Sequence, residues 1–344
     1  MHQFLNTLFV MTPNAYIHLE SETLRIEVER EKKMQVPIHH IGSVVCFGDV
    51  MLSPAVMHRC ADDGRSVVLL DRNGRFKARL EGPVSGNILL RQAQFKMADN
   101  AGFALDTAKA VIAGKLRNAR QVLLRGAREA VDEKDTDPLG RAADSLAISI
   151  RNIPAADNLD TLRGFEGDAA KTYFSALNHM IRWEAREAFA MNGRSRRPPL
   201  DRFNALLSFI YSMVMNDCRS ALESVGLDPQ LGFLHAMRPG RAALALDLME
   251  EFRAILADRV VLTLINRGQV SEKDFLDRPG GAVHLQDDAR KTVVVAYQER
   301  KQEEVTHPLL DTKAPIGLLP HLQARFLART IRGEMEGYLP FLIK

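Results

Sequence analysis

Asp247 and Glu250 stand three residues apart in the stretch Gly232 to Arg253, which reads GFLHAMRPGRAALALDLMEEFR. On a helix this spacing sets both carboxylates on one face, with Glu251 as the next step of the row. His235 lies just before Pro239 and Gly240, the pair that breaks the chain ahead of that helix. A carboxylate pair with an imidazole delivered from the preceding loop has the donor chemistry of a divalent-cation site. The same residues also describe a solvated charged face beside an ordinary loop histidine, and so short a match does not choose between the two.

A further carboxylate sits in Arg163-Gly164-Phe165-Glu166-Gly167. The motif reads as a helix start, where backbone amides and the helix dipole favour an acid, and its glycines imply a close approach to the backbone. The plainer alternative is that Glu166 only balances the dipole. Together Glu166, His235, Asp247 and Glu250 offer three carboxylates and one imidazole from separate segments. That set suits Mg2+ or Mn2+, and it suits zinc poorly because no cysteine or second histidine joins it. An ion so held, with open positions, polarises a phosphodiester and activates an attacking oxygen, so nucleic acid is the natural substrate class. Arginines stand where such a substrate needs them: Arg194, Arg196 and Arg197 in a Gly-Ser-Pro-rich loop, Arg238 and Arg241 beside the metal candidates, and Arg117, Arg120, Arg125 and Arg128 along an early helix. Their forked guanidinium groups match phosphate geometry without reading sequence. The alternative for the early helix is a solvated face paired with nearby acids.

The elements that must position these groups divide into an α+β chain, a small N-terminal β-rich domain with one inserted helix followed by a larger, mainly α-helical domain. Residues 1–82 form the β-rich part, with short strands predicted over 5–11, 15–19, 24–28, 35–37 and 43–47, and a hairpin of 66–71 with 75–80 across an Asn73-Gly74 turn. Ser53-Pro54 starts a short helix through Cys60, with serine as cap and proline at the first helical position. Residues 83–100 are linker and first helix, and 101–344 are the helical domain. Its predicted helices cover 103–131, 157–166 leading into 169–189, 199–225, an amphipathic helix over 241–268, and 315–332. Ser271 to Asp274 resembles a capping box, and 282–285 with 292–297 reads as a small hairpin.

Composition narrows the function without naming it. The 344 residues carry 46 basic and 43 acidic side chains, a net charge of +3, which excludes a simple polybasic binder but leaves local basic surfaces open. Three widely spaced cysteines, Cys46, Cys60 and Cys218, fit buried thiols in a reducing cytoplasm better than a disulfide framework. No apolar run approaches the ~20 residues that span a bilayer, so a cytoplasmic protein without membrane association is expected.

Four ordered segments then carry a resemblance that spans nearly the whole chain: RGFEG at 163–167, LDRFNALLSFIY at 200–211, GLDPQLGFLH at 226–235 and RAALALDLMEEFR at 241–253. They resemble the signature segments of the CRISPR-associated adaptation integrase family, the first of the Cas endonucleases. The opening LNTLFVMTP at 5–13 looks like the I-C branch. The resemblance implies a small N-terminal β-sandwich-like domain, a larger, mainly α-helical catalytic domain, and a homodimer that joins a small ferredoxin-like partner subunit on double-stranded DNA, in a heterohexamer-type complex. It also implies a metal triad falling on Glu166, His235 and Glu250, with Asp247 supporting the site. The implied reaction inserts captured DNA fragments as new spacers into a CRISPR array, by attack of a 3′-hydroxyl on a phosphodiester. Two other readings stay open: a structure-specific nuclease acting on branched repair intermediates, and a non-catalytic DNA-bridging scaffold.

Overall fold

The computed structural model describes residues 7–72, 76–80, 82 and 88–343. The chain divides into two compact units, Met1–Gly86 and Asn87–Lys344.

In the first unit, one sheet contains β1 (Thr7–Val10) and another contains β2 (Tyr16–Glu20), β3 (Thr23–Val28) and β4 (Glu31–Pro37). The chain continues through β5 (Ser43–Phe47), β6 (Met51–Leu52), α1 (Pro54–Asp62), β7 (Ser66–Leu70) and β8 (Phe76–Leu80). The sheets have orders β1-β5-β7-β8 and β4-β3-β2-β6. Strand β5 pairs in parallel with both β1 and β7. Its residues Val44 to Phe47 are all buried, the pattern of a parallel strand covered on both faces. Ile17, Leu24 and Ile26 from one sheet share a core with Val10, Val44 and Val67 from the other, and Val56 and Cys60 of α1 join it. Ser53 caps α1 through the Val56 amide, as the Ser-Pro pair predicts. The antiparallel pairing of β7 with β8 is present, while the predicted Asn73-Gly74 turn and the first residues of the opening strand lie outside the described residues. Strand β4 is longer than predicted. Its first five residues are exposed and include Lys32 and Lys33, so it is an edge strand with a charged face and no apolar alternation to find.

The second unit opens with α2 (Ile88–Asp99), α3 (Ala101–Glu129), α4 (Glu133–Asn152), α5 (Leu159–Ala176), α6 (Trp183–Phe189) and α7 (Arg202–Ser224). Next come α8 (Ala243–Met249), α9 (Arg259–Asn266), β9 (Phe275–Asp277), β10 (Val283–Leu285) and α10 (Asp287–Gln302), and β11 (Glu304–His307), β12 (Thr312–Pro315) and α11 (Leu319–Ile331) close it. Helix α2 packs on α3 and α11 and so belongs to this unit. The capping box at Ser271 to Asp274 is present, on a 3-10 turn. The hairpin predicted from 282–285 and 292–297 is not: β10 pairs with β9, and 292–297 lies inside α10. The run Val293 to Val295 has β character, but the polar residues on both sides extend it into a helix that buries Val293, Val294 and Tyr297.

The predicted amphipathic helix over 241–268 is also corrected. Between α8 and α9 the chain makes a π-helical turn over Arg253–Asp258, and the whole run is buried on nearly every side. A helix apolar all round is a core helix, not a surface one. Its acids are therefore not a solvated face, because Asp247, Glu250 and Glu251 are only 2%, 4% and 0% exposed. Among the described residues, no helix is long and apolar enough to cross a membrane.

Candidate active site

Asp247 sits in the middle of α8 and faces the loop that follows α7. Its carboxylate accepts three consecutive backbone amides, Phe233 at 2.6 Å, Leu234 at 3.0 Å and His235 at 3.0 Å. Its Oδ1 also lies 2.7 Å from Nδ1 of His235. A carboxylate has only acceptors, so the proton of this contact belongs to Nδ1, and the Nε2 lone pair is left to face the site. Gly232 makes the wrap possible. A Cβ there would lie 2.7 Å from Oδ2 of Asp247 and 2.8 Å from the Ala243 carbonyl carbon. Arg163 ties the loop from the other side, its Nη2 donating to the Leu234 carbonyl at 2.6 Å and its Nε at 3.2 Å.

Glu250, one turn later, is satisfied by cations. Its Oε2 lies 2.8 Å from Nζ of Lys115 on α3 and 3.1 Å from Nε of Arg253, and its Oε1 is 3.7 Å from Nε2 of His235. Burial pushes the Glu250 carboxyl up, but Arg253, Lys115 and His235 outweigh it and bring the pKa down to about 2. The Lys115 ammonium also pairs with Oε1 of Glu166. Desolvation draws its pKa down, and the fields of Glu250 and Glu166 more than restore it. Arg253 is held in place by the Tyr211 ring, 4.6 Å from its guanidinium carbon.

Glu166 reaches this cluster from the interior of α5, a helix that begins at Leu159 and is capped by Asn158 through the Thr161 amide. The expectation that Glu166 marks a helix start, and with it the dipole-balancing alternative, is thus overturned. Nor, among the described residues, does anything approach Gly164 or Gly167, where an added Cβ would meet open space. Glu251 does not continue the row of Asp247 and Glu250. It turns the other way and accepts from Tyr338, from Gln323 at 3.1 Å and from the Phe341 amide at 2.5 Å, tying down the C-terminal segment.

The structure therefore gathers Glu166, His235 and Glu250 from α5, the loop after α7 and the end of α8, with Asp247 behind His235. Among the described residues, no group of three or more His, Cys, Asp or Glu side chains is arranged to hold a metal ion. The two glutamates converge instead on one ammonium, with an imidazole nitrogen alongside. Two carboxylates and a nearby imidazole are the donor types that Mg2+ or Mn2+ takes.

The arginines separate into two groups. Arg238, Arg196 and Arg197 are exposed, and Arg241 is half-buried. Burial and then the neighbouring Arg238 depress the Arg241 pKa, with Arg196 and Arg163 adding to the effect and Asp247 opposing it. These side chains thus crowd positive charge beside the His235 loop. Arg194 is committed elsewhere: its guanidinium donates to Asn204 at 2.6 Å and lies over the Tyr211 ring, so the loop uses it as an internal tie. On the early helix, Arg120 donates to the Ala143 carbonyl and Arg125 pairs with Glu129. Sequence reasoning missed Lys115, Arg163 and Arg253. Arg253 and Arg163 each stand three residues from a candidate acid and were open to the helical-spacing argument, whereas Lys115 has no local signal.

A sequence profile for the CRISPR associated protein Cas1 family matches residues 8–299. A CRISPR-associated endonuclease Cas1 of Moorella thermoacetica is 57% identical over 344 residues, the full length of both chains. Among solved structures, a casposase bound to integration product superposes with a TM-score of 0.83 at 22% identity, covering 97% of this chain and 92% of the other. A chain of a Cas6-RT-Cas1–Cas2 complex gives 0.82 at 23%, covering 98% of this chain and 36% of that one.

Proposed function

The chain belongs to the Cas1 family of CRISPR-associated proteins, and from that premise we propose that it is a divalent-metal-dependent DNA endonuclease and integrase. It inserts captured fragments as new spacers into a CRISPR array by attack of a 3′-hydroxyl on a phosphodiester. The observation that carries this reading is that Glu166 and Glu250 share the Lys115 ammonium while Nε2 of His235 faces the other oxygen of Glu250 at 3.7 Å. Glu166, His235 and Glu250 are the residues that would hold Mg2+ or Mn2+. When bound, the ion supplies Lewis-acid polarisation of the phosphodiester and lowers the pKa of the attacking oxygen.

The chain's own side chains do the rest. Asp247 fixes the ring orientation and tautomer of His235, the usual work of a carboxylate behind a metal-binding histidine. Arg163 holds the Leu234 carbonyl and so fixes the loop from which His235 projects. Arg238, Arg241, Arg196 and Arg197 take the phosphates of the flanking strand, and Arg194 leaves that set because its donors are already engaged. Double-stranded DNA, a second copy of the chain and a small ferredoxin-like partner complete the working assembly, in the cytoplasm. A Cas2 partner in the complex named above and the integration product in the casposase structure support this assignment. The likeness of the opening segment LNTLFVMTP to the I-C branch supports that subtype.

Joining of a labelled DNA fragment to a supercoiled target with Mn2+ tests the proposal. Glu166→Ala, His235→Ala and Glu250→Ala each abolish joining and leave the folded protein intact, and joining requires the small partner. Full joining by His235→Ala overturns the proposal. Metal-dependent cleavage that is indifferent to the partner favours the repair-nuclease alternative instead.

A further inference from the structure

The formal charges around Glu250 set a constraint on metal binding. Glu166 and Glu250 contribute two negative charges, and Lys115 and Arg253 two positive ones, so the cluster is balanced as it stands. A divalent ion entering beside both cations would meet two like charges within a few ångströms in a poorly solvated site, which is strongly unfavourable. One of the cations must leave.

The geometry identifies which. Arg253 is pinned between Glu250 and the Tyr211 ring and is anchored within the buried core run. Lys115 carries a flexible four-carbon stem, its side chain keeps 16% exposure, and its ammonium spans the two carboxylates that the metal would share. We propose that Lys115 is a built-in counter-ion that holds Glu166 and Glu250 together until a divalent ion displaces it. With Lys115 withdrawn, exchange of its single charge for a divalent ion leaves the cluster one charge more positive, which favours a phosphodiester. Lys115 is then a positioning residue that sets the threshold of metal loading. This inference rests on the metal-site reading above.

The test is Mn2+ affinity, followed by the free-ion EPR signal, in the full-length protein and in Lys115→Met and Lys115→Arg. Lys115→Met removes the competitor and tightens Mn2+ binding about tenfold or more, and Lys115→Arg, which keeps the charge, does not tighten it. A merely structural lysine gives the opposite sign, since its loss loosens the site. In the wild-type protein, acetylation mapped by mass spectrometry finds Lys115 protected in EDTA and modified once Mn2+ is added. This readout decides the question even if Lys115→Met does not fold. Unchanged or weaker binding in a folded Lys115→Met, or no change in Lys115 acetylation, overturns the inference alone, provided the wild type binds Mn2+ and His235→Ala does not. If the wild type binds no Mn2+, the metal-site reading and this inference fall together.

Discussion

Two acidic regions lie one helical turn apart, and they are satisfied by opposite means. Around Asp247 the charge is spread over three backbone amides and one imidazole N–H, all from the Gly232 to His235 loop. Around Glu250 it is met by side-chain cations from α3 and from the π-helical turn. Backbone donors are fixed by the fold and cannot be exchanged without unravelling the loop, so Asp247 is a structural anchor that orients His235. Cations can be exchanged for another cation, so Glu250 is the acid that can change partners. The more obvious acid of the pair, nearer the middle of the helix, is the one already spent.

The largest effect expected from this contrast is in activity. Glu250→Gln lowers metal-dependent cleavage and joining roughly a hundred- to a thousandfold, the several kcal/mol that loss of an ion's charge stabilisation represents. Asp247→Asn, measured in the same assay, lowers it only about ten- to a hundredfold, as expected for a group acting through His235. The reverse order would exchange the roles of the two acids. Stability shows the contrast from the other side: Asp247→Ala strands three amides around Phe233 and costs about 3 kcal/mol in urea unfolding. A smaller loss, about 2 kcal/mol, follows from Gly232→Ala, where the new Cβ must push Asp247 or the start of α8 aside.

In the pH profile Asp258 serves as a third case, its effect spread over about two pH units and so smallest at any one pH step. It accepts from Tyr211 at 2.7 Å and Tyr173 at 2.8 Å, yet burial outweighs these bonds and raises its pKa from 3.8 to about 6. The folded protein therefore binds this proton more tightly than the unfolded chain does. Its contribution to stability is complete below pH 3.8 and is lost as pH rises through about 6. Asp258→Asn flattens that fall, by at most about 1.4 kcal/mol per pH unit, in urea midpoints measured across the window. Glu250 has the opposite sign: with its pKa drawn down to about 2, its contribution is present above pH 4.5 and is lost as pH falls toward 2.

Much of the site was legible because helical spacing and the ordered motifs act locally. Asp247, Glu250 and His235 lie within one short stretch, and Gly232 and Pro239 mark the loop that presents the imidazole. Glu166 was legible as a residue but not as a place, since Gly164 and Gly167 suggested a boundary where the helix runs straight through. Lys115 was invisible because it is 51 residues from the nearest acid it bonds. Nothing in its own helix distinguishes it from a surface lysine. The β-rich unit was read correctly where burial alternates along a strand or fills it, as in β3 and β5, and incompletely at β4, where the edge is charged. Burial of the 241–268 run escaped the apolar spacing argument because Asp247, Glu250 and Glu251 gave it a polar face, each of whose members has its own internal partner.

The most direct measurement is pulsed EPR of the Mn2+-loaded protein, reading nitrogen coupling at the ion together with affinity. Coupling to one imidazole nitrogen is expected, lost in His235→Gln, with weaker Mn2+ binding in Glu166→Gln and Glu250→Gln. Nitrogen coupling that survives His235→Gln, or an affinity unchanged across the three variants, contradicts the metal-site reading.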